Sequence, residues 1–269
     1  MNTPATKKSL GQHWLHDEES LLAMCDAAGV TAEDTVLEVG PGLGTLTQKL
    51  VTRAKQVVAV EFDDTLAAQL PARVPAANLQ VVHQDILRFD FTSLPAGYKV
   101  VANIPYYLTS NLLRVMCESA NPFARAALLV QKEVAERVVA GPGAMSLLSV
   151  SVQFYCEASL GPVVDAELFT PPPKVDSQIV ALTYRQAPLF PDVETALFFR
   201  LVRAGFSQRR KTLTNSLSAG LQLGRAETEA LLATAGIKPM SRAQELGLPA
   251  WHALYKAYAA ALPSLSKNA

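Results

Sequence analysis

Glu38-Val39-Gly40-Pro41-Gly42-Leu43-Gly44 ends a β-rich run, Thr35 to Val39, and opens a helix-like one, Leu43 to Ala54. Glycines at this junction allow a tight turn and let a ligand come close to the backbone. The next apolar run, Gln56 to Glu61, ends in an acid about twenty residues further on, where a carboxylate can accept hydrogen bonds from a ribose diol. Asp63 and Asp64 follow it, and Asp85 stands beyond a third run, Leu79 to Val82, placed to receive an adenine amino group. Dinucleotide enzymes share a glycine turn followed by an acid. Their pattern asks for Gly or Ala where this chain has Thr45, and no Tyr-x-x-x-Lys pair is present. A merely structural strand–helix turn is the third reading of the segment.

Outward from the turn, Lys99 to Ala102 and Ala126 to Val130 are further short apolar runs, with the length of strands buried on both faces of a parallel sheet. Asp64 to Arg73 and Thr109 to Ala120 suit crossover helices, and Ser177 to Tyr184 reads as a late strand. Repeated βα units predict an α/β fold, a doubly wound Rossmann-like sheet. After Arg185 the texture changes. Gln186 to Pro191 is a proline-bounded linker, and Val193 to Phe206, Arg225 to Ala235 and Ala250 to Leu262 have helical composition, with Gly236 as a helix stop. The expected organisation is a sheet domain over residues 1–185 and a small α-helical domain over 186–269.

A chain of 269 residues exceeds a single domain of about 100–150 residues, which agrees with that division. Hydrophobic residues at 49% against 18% charged supply a core and exclude a disordered chain. The net charge of zero argues against a nucleic-acid partner until the two parts are separated. Residues 1–185 hold 14 basic and 19 acidic side chains, a balance of −5, and residues 186–269 hold 10 and 5, a balance of +5. A dipolar chain of this kind can turn a basic face to phosphates. Cys25, Cys117 and Cys156 form no CxxC pair and the four histidines lack zinc-ligand spacing, so neither a disulfide framework nor a metal is expected. With no signal-like or membrane-spanning run, the reading is a soluble, cytoplasmic protein.

Asn103-Ile104-Pro105-Tyr106 stands at the end of the fourth run, where open α/β sheets place their ligands. The exocyclic amine of adenine is a poor nucleophile because its lone pair is delocalised into the ring. A side-chain amide oxygen and a nearby backbone carbonyl can accept its two N–H bonds and hold the lone pair towards an incoming methyl group. Proline has no N–H to compete and stiffens the turn, and an aromatic neighbour can stack on the base. Alone, the tetrad reads better as an Asn-Pro turn beside a core tyrosine.

With the glycine turn upstream, the chain resembles the small-subunit rRNA adenine dimethyltransferases, the KsgA/RsmA family, over essentially its whole length. The matching segments are Lys8 to Leu15, Glu38 to Gly44, Glu61, Gln84-Asp85-Ile86, the Asn103 tetrad, Phe169 to Ser177 and Phe206 to Leu213. The resemblance implies a class I methyltransferase that uses S-adenosylmethionine and no metal. His13, by side chain or backbone, and Leu15 would hold the amino-acid end of the cofactor. Gly40 would line its underside, Glu61 would bind the ribose and Asp85 the adenine, with Asn103 at the boundary to the substrate. The implied substrate is a pair of adjacent adenosines in the 3′-terminal hairpin of 16S rRNA, within an immature small subunit. Each would become N6,N6-dimethyladenosine, with Tyr106 and Phe169 stacking on the splayed-out base and Pro105 stiffening the tetrad. A hydrophobic plug beneath a proline-rich loop is the plainer reading of Phe169. The expected enzyme works as a monomer.

Arg200, Arg203, Arg209, Arg210 and Lys211 place five positive charges in twelve residues with no acid among them. Phosphate contacts need such a cluster, and its position matches the RNA-binding surface of the family; a solvated helix face is the alternative. The enzyme rival is the related group that dimethylates an adenine of large-subunit rRNA, and the rival from another class is a non-catalytic assembly or transcription factor on the same scaffold. DNA adenine methylases tend to carry Asp at the first tetrad position.

Overall fold

Strands buried on both faces need crossover helices to join them, so alternating apolar and amphipathic runs build a parallel sheet. The computed structural model describes residues 12–265. They run β1 (Trp14–Leu15), α1 (Glu18–Ala27), β2 (Thr35–Val39), α2 (Thr45–Val51), β3 (Gln56–Glu61), α3 (Asp64–Arg73), β4 (Leu79–His83), β5 (Lys99–Asn103), α4 (Thr109–Cys117) and β6 (Arg125–Gln131). There follow α5 (Lys132–Val139), α6 (Leu147–Tyr155), β7 (Cys156–Val164), β8 (Phe169–Thr170), β9 (Ser177–Tyr184), α7 (Thr195–Phe206), α8 (Leu213–Leu221), α9 (Arg225–Thr234) and α10 (Leu248–Leu265).

Seven strands form one sheet in the order β4-β3-β2-β5-β6-β9-β7. The first five are parallel, and β9 and β7 run antiparallel to their neighbours. From β2 the chain steps outward to β3 and β4, then returns to the other side of β2 as β5. The β2/β5 boundary is therefore the switch point, where such sheets open a crevice beyond their strand ends. Glu38 lies opposite Val101, so Val39 and Asn103, the last residues of these two strands, end almost level. Val36, Leu37, Val100, Val101 and Ala126 are fully buried, as expected for strands covered on both faces.

The strand at the far edge was not read from the sequence. β7 contains Gly161 and Pro162 and is irregular between Leu160 and Val163. Proline lacks a ladder donor and glycine weakens a strand, so both are tolerated at an edge and both read as breakers. A separate antiparallel pair joins β1 to β8, with Trp14 opposite Thr170 and Leu15 opposite Phe169.

Among the described residues, one compact unit takes those up to Glu136 together with Cys156–Tyr184, and the other takes Arg137–Tyr155 and those from Arg185 onward. Residues 137–155, which the sequence reading kept with the sheet, thus belong to the helical unit. Hydrophobic packing is the cause. Phe154 stacks on Phe198 at 4.9 Å and meets Phe199 edge-on at 5.3 Å. Met145, Val150 and Phe154 share a core with Leu201, Leu217, Trp251 and Leu254. Each such buried side chain contributes about 1.5–3 kcal/mol. The predicted linker is also anchored, with Phe190 stacked on His252 at 4.1 Å. No helix of the described residues is long and apolar enough to cross a membrane. All three cysteines are buried, and the Sγ atoms of Cys117 and Cys156 lie 3.9 Å apart.

Candidate active site

Beyond the ends of β2 and β5 lies a cavity of about 360 Å³. The glycine turn forms one side, with Gly40 at φ +66° and Gly42 at φ +57°, a region that disfavours residues with a Cβ. A Cβ at Gly40 would meet nothing within 4 Å, whereas one at Gly42 would come within 2.5 Å of the Trp14 ring. Gly40 therefore keeps space open for a ligand, and Gly42 lets Trp14 lie against the turn.

Glu61 ends β3 and lines the same cavity. Its Oε2 accepts from Gly42 N–H at 3.1 Å and its Oε1 from Asp63 N–H at 2.9 Å. Burial pushes this carboxyl above its ordinary value, and the backbone donors oppose the shift. Each oxygen keeps a lone pair for a diol. Asp63 is occupied elsewhere, accepting from Thr65 N–H and Leu66 N–H at the start of α3. Asp85, half-buried, lines the cavity beyond β4 and accepts from Leu87 N–H at 3.0 Å.

Glu38 carries more than the opening of a motif. The residue is 1% exposed and lines the cavity, yet its Oε2 has no hydrogen-bond partner. Burial pushes the carboxyl up to about 8; a hydrogen bond with Thr47 opposes the shift and the Glu61 charge adds to it. The indole N–H of Trp14, another lining residue, is also buried and unpaired. Buried polar groups left unsatisfied cost about 1–3 kcal/mol each, so a ligand with hydrogen-bonding atoms gains by satisfying them. S-adenosylmethionine, with an ammonium, a carboxylate, a ribose and an adenine, fits that set of groups. Among the described residues, no group of three or more His, Cys, Asp or Glu side chains could hold a metal ion.

Asn103, Pro105 and Tyr106 line the cavity from the β5 side. The Asn103 Nδ2 donates to the His13 carbonyl at 3.4 Å. With the nitrogen engaged there, Oδ1 is the acceptor the side chain has left. Leu108 N–H donates to the Pro105 carbonyl at 2.9 Å, making Tyr106 and Tyr107 the central residues of a tight turn. The Tyr106 hydroxyl pairs with Ser177 Oγ at 3.1 Å, and its ring lies near-parallel to that of His13 with centroids 6.0 Å apart. Burial raises the Tyr106 phenol above its usual value, so at neutral pH it is a neutral hydrogen-bonding group rather than a base.

His13 and Leu15 bring the N-terminal arm to the same cavity. The His13 side chain is used on the protein, its Nδ1 donating to the Pro171 carbonyl at 2.7 Å. Phe169 also lines the cavity but is only 3% exposed and packs with Leu15, Leu21 and Ile179 in the sheet core. Its ring belongs to the wall, closer to the plug reading than to an open platform. Lys8 to Gly11, the start of the N-terminal motif, lie outside the described residues. The lining also includes two largely exposed aromatic side chains that the motifs did not flag, Phe62 at 59% and Tyr107 at 63%.

The basic cluster belongs to the helical unit. On α7, Phe198, Phe199, Leu201 and Val202 are buried and Arg200 and Arg203 exposed, one face inward and the other to water. Arg209, Arg210 and Lys211 occupy the exposed turn after α7, closed by Lys211 N–H donating to the Gln208 carbonyl at 2.9 Å. Among the described residues, none of the five forms an ion pair.

A seven-stranded sheet of this order with an antiparallel far edge, a glycine turn at its switch point and a carboxylate at the end of the next strand define a class I methyltransferase. More narrowly, the chain belongs to the ribosomal RNA adenine dimethylase family, whose model matches residues 4–260. A ribosomal RNA small subunit methyltransferase A of Dehalococcoides mccartyi is 44% identical over 260 residues, covering 95% of this chain and 89% of that one. Its namesake in Shouchella clausii is 38% identical, covering 89% and 85%. Among solved structures, a dimethyladenosine transferase from Plasmodium falciparum matches with a TM-score of 0.76 at 27% identity over 89% of this chain and 95% of its own. The 23S rRNA methyltransferase ErmE gives 0.72 at 29% over 91% and 98%. The chain is thus an enzyme of methyl transfer, and the methyl donor of its class is S-adenosylmethionine.

Proposed function

We propose that this enzyme transfers methyl groups from S-adenosylmethionine to N6 of two adjacent adenosines in the 3′-terminal hairpin of 16S rRNA, during assembly of the small ribosomal subunit. The observation that carries the reading is the state of Asn103: its nitrogen is tied to the His13 carbonyl, so its oxygen is left to receive an adenine N–H at the switch point. Relatives named for the small subunit reach 38–44% identity, against 29% for the 23S enzyme, which favours the small subunit over the large.

When bound, S-adenosylmethionine supplies an electrophilic methyl group on a sulfonium. Glu61 and Asp85 would hold its ribose and adenine, Gly40 would face it, and His13 and Leu15 would flank its amino-acid end. The target base would lie along Tyr106 and the edge of Phe169, with stacking worth about 1–3 kcal/mol. Asn103 Oδ1 and a backbone carbonyl of the Pro105 turn would accept the two N–H bonds of N6, directing its lone pair to the methyl carbon. The amine so held would take the methyl group as the S–C electron pair stayed on sulfur, and the alkylated nitrogen would give its proton to water. Catalysis would be by positioning; among the described residues no lysine lines the cavity, and Tyr106 is neutral. Arg200, Arg203, Arg209, Arg210 and Lys211 would meet rRNA phosphates.

Mass spectrometry of small-subunit rRNA from cells lacking the protein tests the reading, with loss of dimethyladenosine expected at two neighbouring positions. Methyl incorporation into isolated subunits separates the alternatives. Transfer to large subunits alone would overturn the assignment, and transfer to neither would point to a non-catalytic assembly factor.

A further inference from the structure

We infer that Tyr107 is a stacking platform for the base next to the one being methylated, so that two consecutive tyrosines hold two consecutive nucleotides of one strand. This rests on the RNA-adenine reading above. Tyr106 and Tyr107 are the two central residues of the turn closed by Leu108 N–H on the Pro105 carbonyl at 2.9 Å, and both line the same cavity. Their environments are opposite. Tyr106 is half-buried, its hydroxyl on Ser177 and its ring against that of His13. Tyr107 is 63% exposed and makes no side-chain hydrogen bond or ring contact among the described residues. An exposed aromatic ring at a cavity mouth is surface a protein gains by covering, and an unstacked base regains on it the stacking lost when the strand opens.

The spacing fits that use. Consecutive Cα atoms lie about 3.8 Å apart, and side chains diverging from such a pair separate by a distance one nucleotide step can bridge. A base held at Tyr106 therefore brings its chain neighbour to the rim, where Tyr107 is the aromatic surface next along the chain. Stacking strength then gives a preference for a purine at that neighbouring position, without any hydrogen-bond readout.

The test uses the full-length enzyme and small-subunit particles reconstituted with unmethylated rRNA. The nucleotide beside the target adenosine is either a purine or uridine, and kcat/KM is measured for the first methyl transfer. Wild-type enzyme is expected to lose roughly tenfold when the neighbour becomes uridine, the low end of the loss of one base–aromatic stack. Tyr107→Ala should lose the same factor with the purine neighbour and show no further loss with uridine. Tyr107→Trp should restore both the rate and the purine preference. Because the side chain is exposed, Tyr107→Ala should melt where the wild type does. Tyr107→Ala within twofold of wild type on both particles overturns the inference, as does a purine preference that survives the substitution. Wild-type enzyme that methylates neither particle overturns the underlying reading and this inference with it.

Discussion

The side-chain nitrogen of Asn103 donates to the backbone carbonyl of His13 at 3.4 Å, tying the tetrad to an arm ninety positions away in sequence. The same histidine reaches the Pro171 carbonyl through its ring, and β1 pairs with β8 beside it. Three distant segments thus fix one amide.

Removing that amide should disable the chemistry and spare the fold. Asn103→Ala is expected to lower the single-turnover rate of methyl transfer by about two to three orders of magnitude, the usual effect of deleting a preorganised hydrogen-bonding group. A rate near that of the wild type would show that Asn103 does not hold the reacting amine.

The two turn glycines should fail differently. Gly42→Ala combines a strained φ of +57° with a contact of 2.5 Å on Trp14, and an expected destabilisation of about 2–3 kcal/mol is readable by denaturant unfolding. Gly40→Ala carries the φ strain of about 1 kcal/mol and no clash, but its methyl group occupies cavity space. Calorimetry should show cofactor affinity reduced by roughly tenfold, about 1.4 kcal/mol. Identical behaviour of the two variants would contradict the division of labour.

Glu38 sets a pH dependence of stability. Its ordinary value is 4.5 and burial raises it to about 8 in the folded protein, so the folded state keeps a proton that the unfolded chain releases. This contribution is intact below pH 4.5 and is lost as the pH rises through about 8. Denaturation of the ligand-free enzyme between about pH 5 and pH 8 should show stability falling, and Glu38→Gln should flatten the slope. Glu61 is raised in the same direction, so some slope remains. An unaltered slope in Glu38→Gln would place the proton elsewhere.

Charge reversal in the turn after α7 should separate RNA binding from cofactor binding. Arg209→Glu with Arg210→Glu is expected to weaken binding to small-subunit particles by roughly a hundredfold at moderate salt and to shallow its salt dependence. Affinity for S-adenosylmethionine should stay as in the wild type. If cofactor affinity fell instead, the cluster would be part of the scaffold.

Much of this architecture is legible along the chain because it rests on local rules. Apolar runs at Thr35–Val39 and Gln56–Glu61 reappear as strands with the same bounds, since continuous burial imposes an unbroken pattern. The nine residues expected around cofactor and base, from His13 to Phe169, all line one cavity, six of them at or after strand ends of the main sheet and three on or beside the β1/β8 pair. β7 escaped notice because its glycine and proline are edge features. Residues 137–155 were assigned to the wrong neighbours because Phe154 finds Phe198 only in three dimensions.

By itself, then, the sequence determined the sheet, the glycine turn with its acids, the tetrad and the basic run, all set by periodicity, turn chemistry and residue type at short range. Only the tertiary structure decided what those groups do to one another. It spent the His13 ring on Pro171, leaving the histidine's carbonyl to orient Asn103. It also buried Phe169 in the wall, buried Glu38 at the cavity and turned Tyr107 outward beside an inward Tyr106. Burial and hydrogen-bond partners are properties of packing between segments far apart in the chain, and no local pattern carries them.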